Sequence, residues 1–171
     1  RKMKKVLCVS HVANFIKFNR PFINWFKGQG WEVHYASLGE EIIDCCDKTF
    51  DVCFERSVFH KDNITAYKQL KKVIDDGKYD IIHCHTPIGA ALTRLASRNA
   101  RKNGTKVIYT AHGFAFWKGA SKKDWLIYYN AEKFFARYTD ILVLINEEDY
   151  KTAVSRKFPA GKIYKIDGVG V

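Results

Sequence analysis

The chain has 171 residues, 47% of them apolar and 15% aromatic, with a formal net charge of +11. That length suffices for one domain with a sizeable core, and that composition excludes a disordered chain. No apolar run approaches the ~20 residues that span a bilayer, and nothing resembles a signal peptide. That charge suggests an acidic partner (nucleic acid, anionic lipid or a phosphate-bearing substrate) or a soluble protein that is simply basic, and the spread of basic residues along the chain weakens the nucleic-acid case.

Lys4 to Ser10 reads as a buried first strand, followed by a loop over 11–19. Pro21 suits the first turn of a helix carrying Phe22, Trp25 and Phe26, which Gly28 and Gly30 stop. Glu32 to Ser37 is a second strand, 38–49 holds at most a short helix, and Phe50 to Glu55 is a third strand. Asp62 reads as the cap of a helix that ends at Gly77. Asp80 to His85 is the fourth strand, and Pro87 starts a helix closed by Gly104. Lys106 to Tyr109 is a fifth strand, ending in Thr110, Ala111, His112 and Gly113. A helix spans about Ser121 to Tyr138, Asp140 to Ile145 is a sixth strand, a short helix follows from Glu147, and Lys162 to Ile166 is the last strand. This alternation predicts an α/β fold: a doubly wound parallel sheet of about seven strands with helices on both faces. The end at Gly168-Val169-Gly170-Val171, with no helix after the last strand, reads as a cut at a hinge over about 167–171.

The five cysteines form no CxxC pair and their number is odd; Cys8 and Cys84 fall in apolar strand runs, so a reducing compartment is expected. No glycine-rich turn follows the first strand and no GxxxxGK[ST] occurs, which argues against a nicotinamide, flavin or P-loop site there.

In open parallel sheets ligands gather at the carboxyl ends of the strands. His112 stands at such an end, placed either to meet a substrate or to bond a nearby carbonyl. His11 and Asn14 could bond a sugar hydroxyl or simply cap a loop. His83 and His85 share one strand face. Their spacing lacks a further ligand set, so no metal is expected. His85 and Thr86 adjoin a helix N-terminus that offers free N–H groups. Lys118, Lys122 and Lys123 stand among Phe116, Trp117, Trp125, Tyr128 and Tyr129. That mixture fits either a lipid headgroup region or a helix whose Leu126, Tyr129 and Phe134 are core. Asn146, Glu147 and Glu148 suit a helix first turn.

The runs HTPIGAALTRLA, YTAHGFAFWKG, DWLIYYNAEKFFARYTDILVLINEEDY and KIYKIDGVGV together resemble the N-terminal domain of bacterial family-4 retaining glycosyltransferases, in the branch that builds capsular and exopolysaccharide repeat units. The resemblance covers nearly the whole chain. It implies the acceptor half of a GT-B enzyme, with the C-terminal donor-binding domain absent and this piece inactive alone. It implies transfer of a sugar from a nucleotide-sugar, UDP-linked, to a polyprenyl-diphosphate-linked saccharide, without metal or other cofactor, at the cytoplasmic face of an anionic membrane. His112 would be the catalytic residue, facing the donor sugar or the attacking hydroxyl. His11, Asn14, His85, Thr86, Gly113, Phe114 and Lys118 would bind substrate. The family's Gly-Gly turn after the first strand is missing here. Two other readings are a non-catalytic subunit that recruits a separate donor-binding chain to the membrane, and a GT-B nucleotide-sugar epimerase.

Overall fold

The computed structural model describes residues 2–168. Seven strands, β1 (Lys5–Val12), β2 (Glu32–Leu38), β3 (Lys48–Asp51), β4 (Ile81–His85), β5 (Lys106–Ala111), β6 (Ile141–Leu144) and β7 (Lys162–Lys165), form one sheet in the order β3-β2-β1-β4-β5-β6-β7. Every neighbouring pair is parallel. The direction of winding reverses between β1 and β4, which opens a crevice at the carboxyl ends of these two strands.

The connecting helices are α1 (Ile16–Gly28), α2 (Asp62–Gly77), α3 (Pro87–Ala96), α4 (Arg98–Lys102), α5 (Lys122–Asp124), α6 (Asn130–Ala136) and α7 (Glu147–Ser155). Alternation along β1 divides the core. Leu7 and Val9 join a large apolar cluster with Ala66, Leu70 and Ile74 of α2 and Ala90 of α3. Val6 and Cys8 join a smaller one with Ile23 and Phe26 of α1. Cys8 is wholly buried, and its burial pushes the thiol pKa up to about 12.

Several boundaries differ from expectation, each for a local reason. The stretch expected as a loop over 11–19 extends β1 to Val12, turns through a 3-10 segment (Ala13–Phe15) and is already helical at Ile16. Pro21 therefore lies inside α1 rather than in its first turn. Pro21 and Lys17, the carbonyl it leaves without an intrahelical donor, are both exposed, so water can serve that carbonyl. The third strand starts two residues and ends four residues earlier than expected, at Lys48–Asp51, because it pairs in register with His34–Ser37. Val52 and Phe54 then enter the core from an irregular segment whose Cys53 N–H is taken by Gln69 Oε1 at 3.0 Å. No helix forms between β2 and β3. Asp47 folds back there instead, accepting the Val33 N–H at 2.8 Å and pairing with Lys27 at 2.5 Å. Asp62 sits in the first turn of α2 with Lys61 at the cap, and its N–H is met by His60 Nδ1 at 3.3 Å. The helix expected over 121–138 runs from Lys122 to Ala136 and contains a π-turn over Trp125–Tyr129. Leu126 and Phe134, two of its expected core residues, are exposed. Val169, Gly170 and Val171 of the expected hinge lie outside the described residues.

A tight junction ties β7 to the sheet. Asp140 accepts from the Val107 N–H at 2.8 Å and from Arg101 at 2.9 and 3.0 Å, while its carbonyl accepts the Lys162 N–H at 2.9 Å. A Cβ placed on Gly161 would lie 2.6 Å from that same carbonyl oxygen. Gly161→Ala is expected to destabilise the fold by about 1–3 kcal/mol, as overpacking against fixed backbone does. Urea unfolding checks it, and an unchanged midpoint would contradict the junction.

Candidate functional site

The crevice is built at the ends of β1, β4 and β5. β4 and β5 pair with His85 opposite Thr110. The ring two residues beyond Thr110 therefore comes back over His85. His85 Nδ1 and His112 Nε2 are 3.0 Å apart. His83 packs against His85 with the rings tilted and their centroids 4.2 Å apart, and its Nε2 meets Thr110 Oγ1 at 2.8 Å. Phe22 of α1 packs edge-on against His83 at 5.2 Å.

The partners assign the tautomers. His85 is fully buried and its Nε2 has no hydrogen-bond partner. An orphaned N–H costs more than an orphaned lone pair, so the His85 proton belongs on Nδ1. His85 Nδ1–H then donates to His112 Nε2, and His112 carries its own proton on Nδ1. His112 is half-buried at the rim, held by Phe15 edge-on at 4.8 Å and by Phe18 at 5.6 Å. It offers a hydrogen-bond donor rather than a basic lone pair. Burial lowers its pKa, so the ring is neutral at neutral pH.

The β1 end is fixed without glycine. Asn19 Nδ2 donates to Tyr35 Oη at 2.9 Å, Tyr35 bonds Ser10 Oγ at 2.6 Å, and Ser10 donates to the Val12 carbonyl at 2.8 Å. The His11 N–H donates to Thr86 Oγ1 at 3.2 Å and so joins β1 to the start of α3. Thr86 takes φ +64°, strained for a β-branched residue, and donates its hydroxyl to the His85 carbonyl at 2.5 Å. A Cβ on Gly89 would meet that hydroxyl at 2.8 Å, which is why the first turn of α3 is glycine-bearing there.

The expected site residues thus lie at or beyond the carboxyl ends of β1, β4 and β5, in different states. His11 is half-buried, Asn14 and Lys118 are exposed, and Gly113 is exposed with φ +126°. His85, expected to face substrate, lies wholly behind His112, because its neighbour on β5 continues past it. Phe114 is buried, stacked on Phe116 at 4.6 Å. Residues that sequence reasoning missed complete the site. Asp149 is buried and accepts the Phe114 N–H at 2.9 Å, clamping the loop after His112. Its signal was the Asn146-x-x-Asp149 spacing of a reciprocal helix cap, in which Asn146 Oδ1 accepts the Asp149 N–H at 2.8 Å. The Lys118 N–H bonds Glu148 from the same helix. Arg94, fully buried, holds Glu132 at 3.1 Å and lies 4.3 Å over the Tyr109 ring. No local pattern announces that pair.

The histidine cluster sets a pH dependence of stability. Burial, then the neighbouring His112, lowers the His83 pKa from 6.5 to about 4. The unfolded chain binds more protons between these values, so stability is whole above about 6.5 and falls as the pH drops towards 4. Urea unfolding at stepped pH should show this slope, and His83→Gln should reduce it, with His85 and His112 supplying the remainder. A wild-type profile already flat over that window would contradict a buried neutral cluster.

A glycosyl transferase 4-like family model matches residues 5–146. A protein described as a glycosyltransferase, EpsD, from Bacillus subtilis is 51% identical over 169 residues, which are 98% of this chain and 44% of that protein. The UDP-Gal:α-D-GlcNAc-diphosphoundecaprenol α-1,3-galactosyltransferase of Escherichia coli is 36% identical over 98 residues, 57% of this chain and 24% of that protein. The chain therefore spans less than half the length of these relatives. Among solved structures, UDP-N-acetylglucosamine 2-epimerase from Rickettsia bellii superposes with a TM-score of 0.73 over 98% of this chain and 46% of that one, at 13% identity, a likeness of fold alone. With 142 consecutive positions matched, the chain belongs to the glycosyl transferase 4-like family.

Proposed function

We propose that this chain is the acceptor side of a glycosyltransferase that moves a sugar from a nucleotide-sugar, UDP-linked, to a polyprenyl-diphosphate-linked saccharide in capsular or exopolysaccharide synthesis. The observation that carries the reading is the half-buried His112 ring at the sheet's switch point, fixed from behind by His85 at 3.0 Å. The Escherichia coli relative, whose name gives a diphosphoundecaprenol acceptor, supports the lipid-linked substrate. In this reading a second Rossmann-like domain holds most of the donor.

Transfer forms a bond from an acceptor hydroxyl oxygen to the donor's anomeric carbon and breaks the bond from that carbon to the diphosphate. The acceptor proton leaves with the diphosphate oxygen. His112 donates its Nδ1–H to a sugar oxygen and so fixes the reacting groups in line. Gly113, whose φ of +126° favours glycine, lets substrate approach the backbone beside it. His11 and Asn14 bond sugar hydroxyls from the β1 side, and Lys118 adds positive charge at the rim.

The same reading places the protein peripherally on the cytoplasmic face of an anionic membrane. No helix among the described residues is long and apolar enough to cross a membrane. Trp117 and Leu126 are 53% and 69% exposed beside Lys118, Lys122 and Lys123, a mixture suited to a headgroup layer.

In a full-length enzyme carrying this domain, His112→Ala is expected to lower transfer by about 100-fold or more, with a stability loss of about 1–3 kcal/mol as the His85 Nδ1–H loses its partner. Transfer at the wild-type rate would refute the role of the ring. Trp117→Ser combined with Leu126→Ser is expected to reduce co-sedimentation with anionic vesicles without destabilising the fold; undiminished co-sedimentation would remove this surface from the membrane.

A further inference from the structure

Beside the histidines lies a cavity of about 430 Å³. Its lining includes exposed Arg56, half-buried His11 and buried Thr86, together with residues of α3, of the π-turn and of α6. Tyr128, Ala131, Glu132 and Phe135 line one wall at the spacing of a single helical face, and Ile88 and Ala91 of α3 line the other.

The one carboxylate in the lining is already neutralised. Glu132 Oε2 accepts from both terminal nitrogens of Arg94 at 3.1 and 3.2 Å, and Tyr109 Oη donates to Oε1 at 3.4 Å. Arg94 in turn donates through Nε to the Ala90 carbonyl at 3.0 Å. The interior is therefore apolar and without net charge, whereas Arg56 is exposed and cationic. A pyranose fits such a wall poorly, because its buried hydroxyls would find few partners. An apolar chain with an anionic head matches both ends.

Resting on the acceptor reading above, we propose that this cavity holds the isoprene units next to the diphosphate of the lipid-linked acceptor, with Arg56 against the diphosphate. In such an acceptor only the diphosphate separates the first sugar from the first isoprene. The cavity has the matching placement: it shares His11, Thr86 and Gly113 with the rim on which His112 stands. The lipid then acts as a positioning handle, seating the acceptor hydroxyl near His112 rather than merely tethering the substrate to the membrane.

Farnesyl diphosphate is a soluble probe, compared by calorimetry with inorganic diphosphate. The protein is expected to bind farnesyl diphosphate about tenfold or more tightly than inorganic diphosphate. Ala131→Phe, which fills the cavity, should remove that difference. Arg56→Ala should weaken both ligands. Equal affinity of the wild-type protein for the two ligands would overturn the proposal, and so would a preference untouched by both Ala131→Phe and a second filling variant, Ala91→Leu. The wild-type comparison stands even if a filled variant fails to fold. Transfer assays on the full-length enzyme separate the two claims. Prenyl-dependent binding without transfer to any lipid-linked saccharide would overturn the acceptor reading alone. Transfer without prenyl-dependent binding would overturn the cavity assignment alone.

Discussion

The site depends on one contact, the hydrogen bond between His85 at the end of β4 and His112 just past the end of β5. His112 lies two residues past the partner of His85, so β5 carries its ring back over the end of β4, and burial decides what the rings can do. Burial, then His83 and His112, hold the His85 pKa well below its ordinary value. A neutral ring with one blocked nitrogen has one remaining choice of proton position. That choice is passed to His112 and decides which of its nitrogens carries the proton. The chemistry at the rim is thus set one layer below it.

The same logic governs the charge. A net charge of +11 suggests a surface that attracts anions, yet some cations are engaged inside. Arg94 neutralises Glu132 beneath the apolar cavity, and Arg101 holds Asp140 at the junction of β5, β6 and β7. Breaking either pair would strand a buried or half-buried charge, so these residues serve architecture. Exposed cations are spread over the surface, and among them Arg56 and Lys118 stand on loops at the carboxyl end of the sheet with exposed Trp117 and Phe59. Anion attraction and apolar surface therefore share one end of the molecule with the histidines.

Much of the fold was legible because its signals are local. Short apolar runs separated by helical periodicity gave seven strands and a parallel sheet, and the TAHG run marked the strand end that carries His112. What failed was also local, but it was overruled from a distance. Pro21 reads as a helix start, yet α1 begins five residues earlier at Ile16, because Ser10, Asn19 and Tyr35 fix the end of β1 and the turn after it. The third strand moved because its register is set by β2, not by its own most apolar residues. His85 was expected at the surface; its burial depends on where a strand 27 residues away ends. Glu132 and Arg94 lie 38 positions apart, and only the packing of α6 on α3 pairs them.

The most direct test of this account is the protonation pattern of His112, read from the nitrogen resonances of histidine-labelled protein at neutral pH. The structure requires a neutral ring with its proton on Nδ1 and a bare Nε2 facing His85, and His85→Phe should release that preference. A ring protonated on Nε2, or one that interconverts freely between tautomers in the wild-type protein, would contradict the central claim.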